Sequence, residues 1–462
     1  MSQTLYLALC GVCTVAVLIG INCMSKVKSA VFGNALSALA VLAAMVLTLV
    51  RYGVYSSAAL YASLALGLVV GVVYARRTEM IAMPQVVALL NGLGGAASAL
   101  VAGASVINGT HGVFENATSG IALAIGALTL TGSLIAAGKL ARVIDSKPKV
   151  LPAHGLITVL LTVLTAAAIV LQVLGSGLWA VAVAVLALVG GVIFVMRVGG
   201  ADMPITISLL NSLSGVAGGI AGMAVNEPLL VAVGGIVGAS GLILTQDMCK
   251  AMNRSLGAIL TGKTTVAAGT ASGAGAMAAA AASSGAAQGK KVSFDDIAAK
   301  LRSAKKVIIV PGYGMALSQA QKEVADFAAK LEKNGAEVKF AIHPVAGRMP
   351  GHMSVLLAEV DIPYEKLCMM DDINPEFASC DIAVVVGAND VTNPAANTAE
   401  GTPIYGMPVL RVAEAPVTVI CNFDTKPGYA GVPNPMYSAN NALLLLGDAK
   451  VSVAKLSACI PG

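Results

Sequence analysis

The sequence predicts two fold classes in one chain: a membrane all-α bundle of about nine transmembrane helices, then an α/β Rossmann-like domain with a doubly wound parallel sheet. Three observations carry this. The residues are 57% apolar and 11% charged, with mean hydropathy +0.82, whereas about a quarter of a typical soluble domain is charged. Charge is segregated, with only sixteen Asp, Glu, Lys or Arg residues between positions 1 and 248. From about residue 290 strand, glycine turn and helix alternate, opening with Val307-Ile308-Ile309-Val310-Pro311-Gly312-Tyr313-Gly314. A membrane unit joined to such a turn points to redox or nucleotide chemistry coupled to an event across a bilayer.

A helix needs about 20 mostly apolar residues to cross the hydrocarbon core. Nine stretches qualify, at roughly 3–23, 32–50, 54–75, 84–108, 119–140, 155–174, 177–196, 203–225 and 228–248. The first lacks a basic leading region and a small-residue cleavage site, and reads as a retained span. With the N-terminus outside, Lys26, Lys28, Arg76, Arg77, Lys139, Arg142, Lys147, Lys149, Arg197, Lys250 and Arg254 fall at inner loops or helix ends, and only Arg51 at an outer one. This count makes the C-terminal domain cytoplasmic, on a multi-pass membrane protein with lipid as one partner. The net charge of +5 is modest and dispersed, and does not suggest nucleic acid. Among eight cysteines, Cys10 and Cys13 form the one paired spacing; inside an apolar helix, without a nearby His, it reads as packing and no metal is expected. Cys368, Cys380, Cys421 and Cys459 fit a reducing compartment.

The membrane half repeats itself. Met83-Pro84-x4-Leu89-Leu90-Asn91-x-Leu93-x-Gly95 recurs at Met203-Pro204-x4-Leu209-Leu210-Asn211-x-Leu213-x-Gly215, an offset of 120 residues. Both copies start at an inner loop, so spans 3–5 and 7–9 read as parallel three-helix duplicates. Asn91 and Asn211 thus share a depth where an amide must pair, either for function or to join helices. No acid, His, Lys or Arg occupies the middle third of a span; Asp202 and Asp247 lie near inner ends, and His111 and His154 in or beside loops.

Residues 1–262 are read as the membrane domain and 263–289, rich in Ala, Gly, Ser and Thr, as a mobile tether or passive spacer. Residues 290–462 form the last domain. Its expected strands are 306–310, 337–342, 366–370, 381–387, 408–412, 417–421 and 443–446, with helices over 315–333, 352–360 and 448–459. Gly312 and Gly314 let backbone approach a pyrophosphate while a helix N-terminus offers free N–H groups. The third position of the usual fingerprint is Leu317, and the second strand runs into His343-Pro344 with no acid for a ribose. Loops at 343–352, 387–394, 426–432 and 447–450 would lie beside this turn at the strand ends, where such sheets bind ligands. His343 and His352 read as surface residues without a catalytic role, since hydride transfer needs no protein base.

Pro311-Gly312-Tyr313-Gly314-Met315-Ala316, His343-Pro344-Val345-Ala346-Gly347-Arg348-Met349-Pro350-Gly351-His352, Gly387-Ala388-Asn389-Asp390 and Gly428-Tyr429-Ala430-Gly431-Val432 resemble the β subunit of proton-translocating NAD(P)+ transhydrogenase. Gly199-Gly200-Ala201-Asp202-Met203-Pro204 and Met252-Asn253-Arg254-Ser255 look like the same family. The resemblance implies NADP(H) on this chain, NAD(H) on a separate α subunit, direct hydride transfer between the nicotinamides as protons cross the membrane, and a dimer of α–β units. It further implies that Gly312, Tyr313, Gly314, Met315 and Ala316 line the nucleotide, with Val345, Ala346, Gly347, Arg348, Met349 and Pro350 as a lid and Arg348 near phosphate. Gly387, Ala388, Asn389 and Asp390 would lie near the nicotinamide end, Lys426, Gly428 and Tyr429 in a second covering loop, and Asp448 and Ala449 at ribose or phosphate. Asn91, Asn211, Asp202 and Ser240 would serve the proton path or its coupling; no catalytic side chain is implied.

Two departures stand out. Many relatives carry a Lys-Arg pair for the 2′-phosphate where this chain has Asn422 and Phe423, followed by Asp424, which could instead accept from a ribose hydroxyl and would repel a phosphate. Lys426 is the candidate substitute cation, and NAD(H) tolerance is the alternative to NADP(H). Relatives often have histidine at the position of Asn91; asparagine does not titrate near neutrality, so any proton relay must use water, nucleotide-linked gating or a titratable residue from the partner. The alternative from another class is a transporter or channel gated by a dinucleotide-sensing domain.

Overall fold

In a computed structural model of the chain, the residues described are 2–24, 27–79, 82–108, 112–145, 148–175, 177–199, 202–252, 255–261, 294–349 and 351–460. The tether at 263–289 lies outside them, as do Lys26, His111, Lys147, Gly200, Ala201, Asn253, Arg254 and Pro350. The chain divides into two compact units, Met1–Val198 with Thr206–Thr245, and Gly199–Ile205 with Gln246–Gly462.

Among the described residues nine helices are long and apolar enough to cross a membrane. They are α1 (Gln3–Met24), α2 (Val27–Tyr52), α3 (Ala58–Arg77), α4 (Met83–Ile107), α5 (Val113–Leu140), α6 (His154–Leu174), α7 (Trp179–Met196), α8 (Met203–Ala224) and α9 (Pro228–Ala251). Each matches one expected span. Apolar side chains such as Leu66, Leu68, Leu100 and Leu156 point outward, as a lipid-facing surface requires.

Small residues bring backbones together inside this unit. A Cβ on Gly95 would stand 2.8 Å from the Gly126 carbonyl oxygen, so α4 and α5 touch backbone to backbone. A Cβ on Gly219 would stand 3.2 Å from the Gly235 nitrogen, closing α8 onto α9 in the same way. Polar side chains add specific bonds: Ser212 Oγ donates to the Gly238 carbonyl at 2.6 Å, and Thr245 Oγ1 to Ser208 Oγ at 2.9 Å. Lys139, expected at an inner loop or helix end, is buried in the last turn of α5. Its ammonium donates to the carbonyls of Val195, Met196 and Val198 at 3.1, 2.7 and 2.8 Å, capping the end of α7.

In the second unit six parallel strands, β1 (Lys306–Pro311), β2 (Glu337–Ile342), β3 (Leu367–Met369), β4 (Ile382–Val386), β5 (Thr418–Asn422) and β6 (Ala442–Leu446), lie in the order β3-β2-β1-β4-β5-β6. Their runs of Val, Ile and Leu are buried on both faces, as helices on each side of a parallel sheet demand. Ile308, Val310, Ala383, Val385 and Ile420 pack with Phe377 and Tyr437 on one side. Register aligns Val310 with Val385 and Val385 with Ile420, so β1, β4 and β5 end at a common edge.

Two expectations need correction. Residues 408–412 form no strand. Pro408 has no N–H to give a ladder, and Asn374 takes up neighbouring groups, donating to the Val409 carbonyl at 3.1 Å and accepting from Arg411 N–H at 3.0 Å. The helix expected over 315–333 is two helices, Tyr313–Leu317 and Gln321–Lys333, parted where Gln319 adopts φ 51°. A further helix, Phe294–Ser303, precedes β1.

Candidate functional site

Strand order reverses between β1 and β4, and open sheets of this kind bind ligands in the crevice beyond the carboxyl ends at that point. Gly312 and Gly314 stand here, but they face protein. A Cβ on Gly314 would lie 2.7 Å from the Gly387 Cα, and one on Gly312 would collide with Gly387 and Ala388. Gly387 itself has φ 68°, which favours glycine. The turn's N–H groups are largely engaged: Gly312 donates to Val386 O at 2.9 Å, Gly314 to Gly387 O at 2.8 Å, and Met315 to Gly312 O at 3.1 Å. The expected row of free donors is therefore not what these glycines provide; they lock the β1 and β4 turns into one floor. Met315, Ala316, Ala346 and Ala388 are buried.

Above the floor, three side chains converge from two loops and the first turn. The Arg348 guanidinium carbon sits 4.7 Å from the Tyr313 ring centroid and 5.8 Å from that of Tyr429. Arg348 Nη2 donates to the Tyr429 hydroxyl at 2.7 Å, and the two rings are 6.1 Å apart. Val345, Gly347 and Met349 are half-buried around Arg348. His352, expected at the surface, is 1% exposed and holds this loop: its Nδ1 accepts the Arg348 N–H at 3.1 Å. That bond leaves the ring proton on Nε2, which has no partner among the described residues. Burial, and then the Arg348 charge, push the imidazole down to about 4. His343 is 2% exposed, bonded through Nε2 to the Pro408 carbonyl at 2.8 Å, and pushed down to about 4 by burial.

The second loop is pinned from below. Asn389 Nδ2 donates to the Lys426 carbonyl at 3.0 Å, and Asn434 donates to Asn389 Oδ1 at 3.2 Å. Asp390 Oδ2 accepts the Ala430 N–H at 3.0 Å, and a Cβ on Gly428 would stand 2.6 Å from Asp390 Oδ1. Burial raises the Asp390 carboxyl, with the Ala430 and Tyr429 N–H groups opposing. Both residues therefore set the shape of the loop that carries Tyr429. Asn434, unremarked in the sequence, starts an Asn-Pro turn, the local signal that could have found it.

Beside this loop Asn422 is buried, donating to the Ala388 carbonyl at 2.9 Å and the Tyr437 hydroxyl at 2.8 Å, while its Oδ1 has no partner among the described residues. Phe423 is 78% exposed. Lys426 Nζ lies 3.6 Å from Asp424 Oδ2, both at the surface, so this edge carries little net charge. Asp448, expected at ribose or phosphate, caps the helix Ala449–Ala458, accepting from Lys450 N–H at 2.9 Å and Val451 N–H at 3.2 Å. Ala449 is buried behind it.

The membrane candidates are separate. Asn91 is buried in α4 and donates to the Ile207 carbonyl of α8 at 3.3 Å. That oxygen is also the helical-ladder acceptor for the Asn211 backbone N–H, so the Asn91 amide docks on α8 one turn from the second asparagine. Asn211 is half-buried. Ser240 is exposed and donates to Val237 O of its own helix at 3.1 Å. Asp202, in the second unit, is 5% exposed at the start of α8.

The crevice suits a dinucleotide: the sheet reverses there, two aromatic faces and a guanidinium line it, and Asn422 Oδ1 remains buried without a donor. The family model for the NAD(P) transhydrogenase beta subunit matches residues 6–458. NAD(P) transhydrogenase subunit beta of Rhodospirillum rubrum is 40% identical over 460 residues, covering 97% of this chain and 98% of that protein. The protein of the same name from a named strain of that organism aligns with the same values. With its long apolar helices, the chain is a multi-pass membrane protein and an oxidoreductase subunit that works with an alpha partner in chemistry involving NAD(P)(H). It belongs to the NAD(P) transhydrogenase beta subunit family.

Proposed function

We propose that this chain binds NADP(H) and that its membrane helices form much of a proton path, coupling hydride exchange with NAD(H) on the alpha subunit to proton translocation. The observation that carries this reading is the Tyr313–Arg348–Tyr429 clamp over the crevice where strand order reverses. Arg348 would meet a phosphate while the two rings cover the dinucleotide, and Asn389 and Asp390 would fix the covering loop. When bound, the two coenzymes supply the hydride chemistry; this chain orients one of them and excludes water.

For coenzyme choice, an exposed pair such as Asp424–Lys426 contributes only about 0–1 kcal/mol. Lys426 can therefore exchange Asp424 for a 2′-phosphate at little cost, which supports NADP(H) despite Asn422 and Phe423. In the membrane, the shared carbonyl supports Asn91 and Asn211 as a coupled pair, with Asp202 linking membrane helices to the nucleotide-binding part. The assembly is read as a dimer of alpha–beta units in the inner membrane, N-terminus outside, with residues 1–262, 263–289 and 290–462 as membrane domain, tether and cytoplasmic domain. Family membership in an oxidoreductase sets aside the gated transporter.

Titration of the full chain with NADPH and NADH, followed by transfer from NADPH to an NAD analogue with and without the alpha subunit, tests this. Tighter NADPH binding and partner-dependent transfer are expected. Equal or reversed preference would overturn the NADP(H) assignment, and transfer by this chain alone would overturn the division of labour.

A further inference from the structure

The membrane unit contains a carboxylate that none of these roles uses. Glu227, in the turn between α8 and α9, is 8% exposed. The Tyr6 hydroxyl of α1 donates to its Oε1, and the Tyr52 hydroxyl of α2 donates to Oε2 at 3.0 Å. Tyr6 is 4% exposed but Tyr52 is 54% exposed, so one phenol lies within the bundle and the other reaches its surface. The Arg51 guanidinium stands 5.5 Å from the Tyr6 ring centroid. Cys10 and Cys13 of α1 are buried nearby. A 380 Å³ cavity between α1, α2, α3 and α9 also reaches Glu227; Thr48 is the only other oxygen-bearing side chain on its wall, and Leu60, Leu64 and Leu229 are among the apolar ones.

A carboxylate that accepts two hydroxyl protons is satisfied as an ion, and Arg51 adds a favourable potential. Removing such a charge from water is costly, and apolar packing would join these helices as well without it. Tyr52 closes the last turn of α2 beside Arg51, so a single phenol links Glu227 to the end of the bundle. Asn211 lies about 20 Å back along α8, at 1.5 Å per residue. A group that can change charge therefore stands at one end of a bundle whose middle has none.

We propose that Glu227 is the proton-exchange group at this end of the membrane unit, loading or releasing the translocated proton through the Tyr52 hydroxyl. The proposal rests on the proton-translocating reading given above. On loading, water delivers a proton to the Tyr52 oxygen as the proton already there moves to Glu227 Oε2. The neutral acid then donates back to Tyr52, whose remaining hydrogen turns to solvent, while Tyr6 still donates to Oε1. One proton enters, no electron moves, and release runs the same steps backwards.

The test uses the complete enzyme, both subunits, in lipid vesicles. Proton movement and hydride transfer are followed while the pH of each compartment is varied in turn, and infrared difference spectra between acidic and neutral buffer report protonated carboxyl groups. Glu227→Gln should slow proton-coupled turnover roughly 100-fold, the scale of a positioned proton-transfer group. It should also flatten the dependence on one compartment's pH and delete one carboxyl band, with nucleotide binding unchanged. Tyr52→Phe, which keeps the carboxylate, should retain the band but slow exchange. A Gln variant with wild-type coupling and pH profile would overturn the proposal, and so would a Phe variant with wild-type exchange. Wild-type hydride transfer without proton movement would instead refute the reading beneath it. The Phe variant also decides the matter should the Gln variant fail to assemble.

Discussion

Acid should loosen the parallel-sheet domain through His343. Burial holds this imidazole down to about 4 from an ordinary value of 6.5, so it is neutral in the fold and takes a proton readily only when unfolded. Between those values the unfolded chain binds more protons, and stability falls as pH falls. The contribution is fully present above about 6.5 and exhausted near 4. A difference of about 2.5 pH units at 1.36 kcal/mol per unit is about 3 kcal/mol. That is a large part of the 5–15 kcal/mol typical of a folded domain. Hydrogen exchange of the full chain in detergent, read over residues 336–357 and corrected for intrinsic rates, measures it. The His343 share of the fall in protection there should be about 2–3 kcal/mol between pH 7 and 4.5, read as the difference between the wild type and His343→Asn, with His352 supplying a separate fall that remains in the variant. Protection unchanged across this range would refute the claim that the ring is buried and neutral.

Three further outcomes are expected. Arg348→Gln removes a cation–π contact and the bond to Tyr429; a loss of about 2 kcal/mol, or about 30-fold in Kd, should appear in NADPH titrations. Gly428→Ala puts a methyl group against the Asp390 carboxylate, and should cost about 2 kcal/mol and speed exchange of residues 424–430. Asp424→Lys frees Lys426 and adds a second cation; the preference for NADPH over NADH should rise roughly fivefold, about 1 kcal/mol, measured as a ratio of the two affinities.

The nine helices were legible because a bilayer imposes length and composition together. Their ends were less so. α5 begins at Val113 rather than near 119, because Glu115 in a first turn suits the positive end of the helix dipole instead of marking a loop. The strands were legible from apolar runs, except at 408–412, where the partner of the backbone is an asparagine over thirty residues away in sequence. Burial of His343 and His352 could not be read locally, since Pro408 and the Arg348 loop create it. The capping role of Asp448 was legible as well, since an Asp before a helix is a plain N-cap signal. Glu227 was missed for a different reason: attention to the middle of each span overlooks a carboxylate at the end of one.

The interlocked Gly312, Gly314 and Gly387 have a consequence for anyone re-engineering this protein. Like a keystone, the joint transmits any enlargement at one position straight into the opposite backbone. Under the NADP(H) assignment proposed above, altering the glycine motif to change the coenzyme would break the vault before it changed the tenant. Selectivity should be sought where side chains can vary freely, around Phe423, Asp424 and Lys426.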